Sequence, residues 1–155
     1  MKMLRKAFES LGFAGVATFL GSGNVVFETL AKEIGTLEQK IERKLQQALG
    51  YRVPVFIRTP AELKEIAALE PFKDSAIQGA DLNIILLANN LDERFKAKLL
   101  ALGTKTDGFY VRGREIYWWR RKTSGTSLFA TVPLAKVLDM PFRVRSTNTI
   151  RELVL

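Results

Sequence analysis

The chain is expected to be an α+β protein made of two copies of one unit, strand-helix-strand-strand-helix-strand followed by an extra helix. Three observations predict this. The two halves read as the same string of elements, except that the first lacks its opening strand. A stretch of each half aligns with the other without gaps. Each half also contains two short apolar runs joined by a glycine turn. The repeated unit is the split βαβ arrangement of ferredoxin-like folds. The expectation is a single domain over residues 1–155, with a first, N-terminally short repeat at 1–78 and a second, basic repeat at 79–155.

Residues 3–11 form an amphipathic helix ended by Gly12. Val16–Leu20 and Val25–Glu28 are strands joined by Gly21, Ser22, Gly23 and Asn24. Thr36, with Gln39 three residues on, opens a helix whose stripe is Leu37, Ile41, Leu45, Ala48 and Leu49, and Gly50 ends it. Val53–Arg58 is a strand. Thr59, Pro60 and Glu62 make a capping box for a helix to about Ala68. After a loop, Leu82–Ala88 is a buried strand. Asn90 to Glu93 cap a helix to about Leu102. Phe109–Arg112 and Glu115–Arg120 form a hairpin around Gly113. A helix from Ser127 to about Leu138 must kink at Pro133. Phe142–Arg145 is the last strand and Asn148–Val154 the last helix.

The duplication rests on two blocks. Pro54-Val55-Phe56-Ile57-Arg58-Thr59 with Leu63-Lys64-Glu65-Ile66 lines up with Pro141-Phe142-Arg143-Val144-Arg145-Ser146 with Ile150-Arg151-Glu152-Leu153. Each block holds an apolar strand, a terminal arginine, a hydroxyl cap and a helix with a basic-acidic pair. The opening strand that the first repeat lacks would be central in its sheet, and both flanks would then have unpaired backbone groups. A segment upstream of Met1 would fill the place, or a strand from another copy, which makes a homodimer through the incomplete first sheet one expectation.

Composition limits the chemistry. The 155 residues contain no cysteine and no histidine. Disulfides, thiolate or imidazole zinc sites, iron–sulfur clusters and Ser-His or Cys-His nucleophiles are therefore excluded. No metal site, cofactor or catalytic residue is expected. Neither an Asp-x-Asp, a Ser-x-x-Lys nor a paired-carboxylate pattern is present, so the reading leans away from an enzyme. The N-terminus lacks the apolar stretch of a secretory signal and no run is long enough to span a bilayer; the expected location is the cytoplasm, without a membrane partner.

The net charge is +8, and it is uneven. Residues 112–151 hold nine basic side chains against Glu115 and Asp139, a net +7. Such a field favours polyanions or phosphorylated ligands. Within it, Arg120, Arg121 and Lys122 precede Thr123, Ser124, Gly125, Thr126 and Ser127 at an expected helix N-terminus, where free N–H groups and the helix dipole favour an anion. Tyr117 and Trp119 share one face of their strand and Trp118 takes the other. One face packs inward; the other could stack on a base, helped by Arg112, Arg114 and Arg120. Arg58 and Arg145 end equivalent strands. They either clamp one anion together or each caps a carboxylate such as Glu62 or Glu152. The turn Ser22, Gly23 and Asn24 is a second candidate anion cradle, although a hairpin needing positive φ explains it equally. The expected partner is nucleic acid or a phosphorylated small molecule; an interaction module with an open sheet edge is the third reading.

Several stretches resemble an uncharacterised bacterial family, domain of unknown function 1697. They are Leu4-Arg5, Leu11-Gly12-Phe13, Thr18-Phe19-Leu20-Gly21-Ser22-Gly23-Asn24-Val25-Val26-Phe27, Val53-Pro54-Val55, Arg58-Thr59, Glu62-Leu63, Pro71-Phe72, Gly113-Arg114-Glu115-Ile116-Tyr117 and Asn148-Thr149-Ile150. Gly21 stands where the family has glutamine, and Glu70 where it has asparagine. Val144-Arg145-Ser146-Thr147-Asn148 lacks the family's tryptophan. Family members also begin with a strand and loop ahead of the position of Met1. The resemblance implies a duplicated ferredoxin-like fold, and no activity, since the family has no established one.

Overall fold

A computed structural model describes residues 2–19, 23–30, 32–69, 81–101, 107–120, 138 and 140–154. Among them are five helices and six strands in two antiparallel sheets, a mixed α+β fold. The chain divides into two compact units, Met1–Ile57 and Arg58–Leu155. The helix at 60–68 packs with the C-terminal helix, and so belongs to the second unit.

In the first unit, α1 (Lys2–Ser10) leads into the hairpin β1 (Ala14–Phe19) and β2 (Asn24–Glu28), followed by α2 (Ile34–Leu49). Ala7 and Phe8 of α1, Val16 of β1 and the Leu37, Ile41, Leu45 stripe of α2 form the core. Phe8, Phe13 and Phe27 make an aromatic trio inside it, with Phe13 stacked on Phe27 at 4.6 Å. The start of α2 differs from expectation. Glu33 is the N-cap, and the Thr36 hydroxyl lies in the first turn, donating to the Glu33 carboxylate at 3.1 Å. Gly50 ends α2 in the left-handed region (φ 81°), as expected of a C-terminal glycine.

The expected strand Val53–Arg58 forms no ladder among the described residues. Residues 53–57 still pack Val53, Val55 and Ile57 against the core of α1 and α2. Their donors go to side chains: the Val55 N–H donates to Glu42 (3.0 Å) and the Ile57 N–H to Glu38 (3.1 Å). Glu38 and Glu42 are one helical turn apart, close to the i, i+2 spacing of N–H groups along one edge of an extended chain. Carboxylates thus accept from two N–H groups of this segment.

The second unit opens with α3 (Pro60–Ala68), where the expected capping box is present. The Glu62 N–H donates to the Thr59 hydroxyl, and the Thr59 N–H to the Glu62 carboxylate. Four strands follow: β3 (Asp81–Leu87), β4 (Asp107–Arg112), β5 (Glu115–Arg120) and β6 (Phe142–Ser146). They lie in the order β4-β5-β3-β6 with every neighbour antiparallel. Gly113 (φ 57°) makes the β4–β5 turn. Helix α4 (Glu93–Ala101) starts at Asp92, whose carboxylate accepts from the Arg94 N–H. Helix α5 (Thr147–Val154) is capped by Ser146, whose hydroxyl accepts from the Thr149 N–H.

Both faces of this sheet are covered. Ile85, Leu87, Phe109, Ile116 and Trp118 point to one face and pack with Leu91 and Leu99. The alternate residues Ile84, Leu86 and Tyr117 point to the other and are also buried. There α3 meets Tyr117, whose hydroxyl donates to the Ile66 carbonyl at 2.9 Å, and α5 contacts β3 and β6. Among the described residues, no helix is long and apolar enough to cross a membrane.

Candidate anion-binding site

The register of the second sheet determines which cations share a face. Arg112 is paired with Glu115, Glu115 with Leu86, and Leu86 with Arg143. Directly opposite residues point the same way, so these four form one row across the sheet, with an arginine at each edge. The next row is Tyr110, Tyr117, Ile84 and Arg145. Arg112, Arg143 and Tyr110 are exposed, and Arg145 is half-buried.

Arg58 reaches the first row. Its side chain is 3% exposed, and its guanidinium contacts the Glu115 carboxylate at 3.0 Å. It also donates to the Leu87 carbonyl (2.7 Å) and the Arg114 carbonyl (3.1 Å). The carboxylate that Arg58 meets is therefore Glu115, not Glu62. Burial pulls Arg58 below its ordinary value, and the Glu115 charge opposes that. Glu62 instead holds Arg114 at 2.7 Å. Burial pushes Glu62 up, but the Thr59 N–H and the Arg114 guanidinium outweigh it, and its carboxyl lies below the usual value. The first residues after Ile57 are thereby tied to the β4–β5 turn by two ion pairs.

A small cleft of about 70 Å³ opens beside them, lined by Glu62, Glu65, Ile66, Arg112, Glu115 and Tyr117. Two of its three carboxylates are occupied by Arg58 and Arg114, while no ion pair forms at Arg112 among the described residues. Among the same residues, no three His, Cys, Asp or Glu side chains cluster as a metal site would require.

The expected site residues differ in exposure and in what holds them. Arg112 is exposed at the outer edge of the sheet, as an anion contact requires. Arg114 is engaged with Glu62. Tyr117 is 1% exposed and packs inward, so its ring is not a stacking surface. Trp119 is half-buried and lies over Gly108, its cross-strand partner, where a Cβ would overlap the indole. Arg145 donates to the Val144 carbonyl at 2.9 Å, and burial, then Arg143, pulls it below its ordinary value. Arg120 ends β5. Arg121, Lys122, Ser124, Gly125, Thr126 and Ser127 lie outside the described residues, as does Ser22. Gly23 (φ 79°) and Asn24 belong to the β1–β2 turn, where the Asn24 amide donates to the Phe19 carbonyl at 3.4 Å.

Two residues of this surface, Arg143 and Tyr110, did not stand out in the sequence. The alternation Phe142-Arg143-Val144-Arg145 was the available signal for Arg143. For Tyr110 no local signal distinguished it from Phe109 or Tyr117.

Tyr117 provides a readout. Burial, reinforced by the Glu115 charge, pushes its phenol up to about 12. A folded value above the unfolded one stabilises the fold below the unfolded value, about 10, and that contribution is lost as pH rises toward 12. Ultraviolet titration should show one of the three tyrosines ionising late, and this late step should be missing in Tyr117→Phe.

The described chain is thus an α+β protein whose second sheet has arginines at both edges of one face. The family model described as protein of unknown function (DUF1697) matches residues 1–117, and the chain belongs to that family. A conserved bacterial protein from Streptococcus pneumoniae of known structure is similar, with a TM-score of 0.75 at 18% identity over 99% of this chain and 86% of that one. At that identity the likeness concerns the fold alone. Among curated proteins, none matches the chain.

Proposed function

We propose that this protein is a non-enzymatic anion-binding module that takes nucleic acid through its basic second half. The cross-strand row carries this reading: Arg112 and Arg143 stand exposed at its two edges, and its one carboxylate, Glu115, is already held by Arg58. The net +7 over residues 112–151 supplies the surrounding field, and Arg120, Arg121, Lys122 and the hydroxyls to Ser127 belong to the proposed surface on sequence grounds. We also propose that both halves are ferredoxin-like repeats. The β4-β5-β3-β6 order supports this for the second. Thr59 and Ser146, hydroxyls at aligned positions, cap α3 and α5, which pack together; this supports the duplication.

The experiment is fluorescence anisotropy with a labelled single-stranded oligonucleotide and, in parallel, a nucleoside monophosphate. The reading expects polymer to bind well ahead of the monomer, and Arg143→Glu to weaken the polymer by about tenfold. Equal, stoichiometric binding of the monophosphate would favour a phosphorylated small molecule instead. Binding unaffected by Arg143→Glu would count against this face.

A further inference from the structure

The proposed surface takes a more specific ligand class when the exposed ring of Tyr110 is included. We infer that the outer edge of β4 binds single-stranded nucleic acid, with a base stacked on Tyr110 and the adjoining phosphate held by Arg112. This rests on the nucleic-acid reading above and narrows it.

Four observations support it. First, Tyr110 is 42% exposed, while its two aromatic neighbours on the sheet, Phe109 and Tyr117, are buried. Second, the ring is oriented in advance. Tyr110 faces Tyr117 across the ladder with centroids 6.3 Å apart in an edge-on arrangement, and Tyr117 is fixed by its hydrogen bond to Ile66. The free face therefore needs little ordering when a base arrives. Third, Arg112 lies two residues along the same strand face, roughly 6.6 Å away, which is within the reach of one nucleotide. It is exposed; of the three carboxylates that line its cleft, Glu115 and Glu62 already hold Arg58 and Arg114, and no ion pair joins Glu65 to Arg112 among the described residues. Fourth, among the described residues no strand lies beyond β4 in its sheet, so a strand of nucleic acid can pass along it.

An aromatic face with an adjacent guanidinium is the recurrent way of holding unpaired bases, because every base has a stackable face and every nucleotide a phosphate. A duplex hides its base faces, so Tyr110 has nothing to stack on there. Single strands and duplexes of equal length should therefore respond differently to the same substitution.

The test compares a labelled single strand with the matching duplex for the intact chain and for Tyr110→Ala, Tyr110→Phe and Arg112→Ala, each first checked for an unchanged melting temperature. Tyr110→Ala should weaken the single strand by about 5–150-fold and leave the duplex unchanged, and Tyr110→Phe should retain binding. Arg112→Ala should make the salt dependence shallower by about 0.7 in the log–log slope. If the oligonucleotide binds with a steep salt dependence but Tyr110→Ala changes nothing, the inference fails and the broader reading stands. An equal loss on single strand and duplex would also overturn it. If no oligonucleotide binds, the broader reading fails first.

Discussion

Arg58→Met is expected to lower the free energy of unfolding by about 3–5 kcal/mol, the usual consequence of breaking a buried ion pair from one side. The Arg58 side chain is 3% exposed and its partner Glu115 17%. The substitution leaves the Glu115 carboxylate without its partner in a partly dry site, and takes a donor from the Leu87 and Arg114 carbonyls. Urea denaturation measures the loss. A second variant separates pairing from packing. Arg58→Met with Glu115→Leu removes both charges, and should recover most of the stability, because an apolar pair of similar volume does not suffer the desolvation of a lone charge. A loss below about 1 kcal/mol for the single variant would mean that Arg58 is solvated and its ion pair with Glu115 contributes little.

The other large effect is at the adjacent tryptophans. Trp118→Ala should cost about 3–5 kcal/mol, and Trp119→Ala clearly less. Trp118 is 2% exposed, opposite Phe109 in the ladder, and stacked nearly parallel to it with centroids 6.3 Å apart. It sits in the cluster of Ile85, Leu87, Leu99 and Ile116, which cannot collapse into so large a void without moving a strand. Trp119 points to the other face and keeps contact with solvent. Chemical denaturation of the two variants side by side is the measurement, and equal losses would contradict the assignment of the faces.

The two tryptophans also show how far the sequence could be read. Alternation along Glu115–Arg120 predicts that Tyr117 and Trp119 oppose Trp118, and the ladder has them so. Alternation cannot say what covers each face. With one face assumed open, Tyr117 read as a stacking residue; α3 occupies that face, and the phenol is buried. The placement of α3 depends on packing between segments far apart in sequence, and no local pattern encodes it. Capping is the opposite case. Thr59, Glu62 and Ser146 act within three residues of their partners, so their roles were legible. Val53–Arg58 lies between. It was read as a strand; Val53, Val55 and Ile57 pack on the first core, but a ladder needs a neighbour, and Glu42 and Glu38 accept from the Val55 and Ile57 N–H groups instead. The glutamates were visible as helix-face residues; their reach to another backbone was not.

The charge reading changes in the same way. Of nine cations over residues 112–151, the sequence singled out Arg112, Arg114, Arg120, Arg121, Lys122 and Arg145 without showing which of them were paired. The structure separates them: Arg114 is tied to Glu62, Arg145 is half-buried, and Arg112 and Arg143 are exposed at opposite edges of one row. Ion pairing had to be known before the cations available to a ligand could be named.

The most direct test of the anion-binding account is the salt dependence of single-strand affinity for the intact chain. Each phosphate neutralised contributes about 0.7 to the slope of log affinity against log salt, so Arg112 and Arg143 alone predict a slope of about −1.4, and further contacts a steeper one. A slope near zero between low and physiological salt would contradict the account.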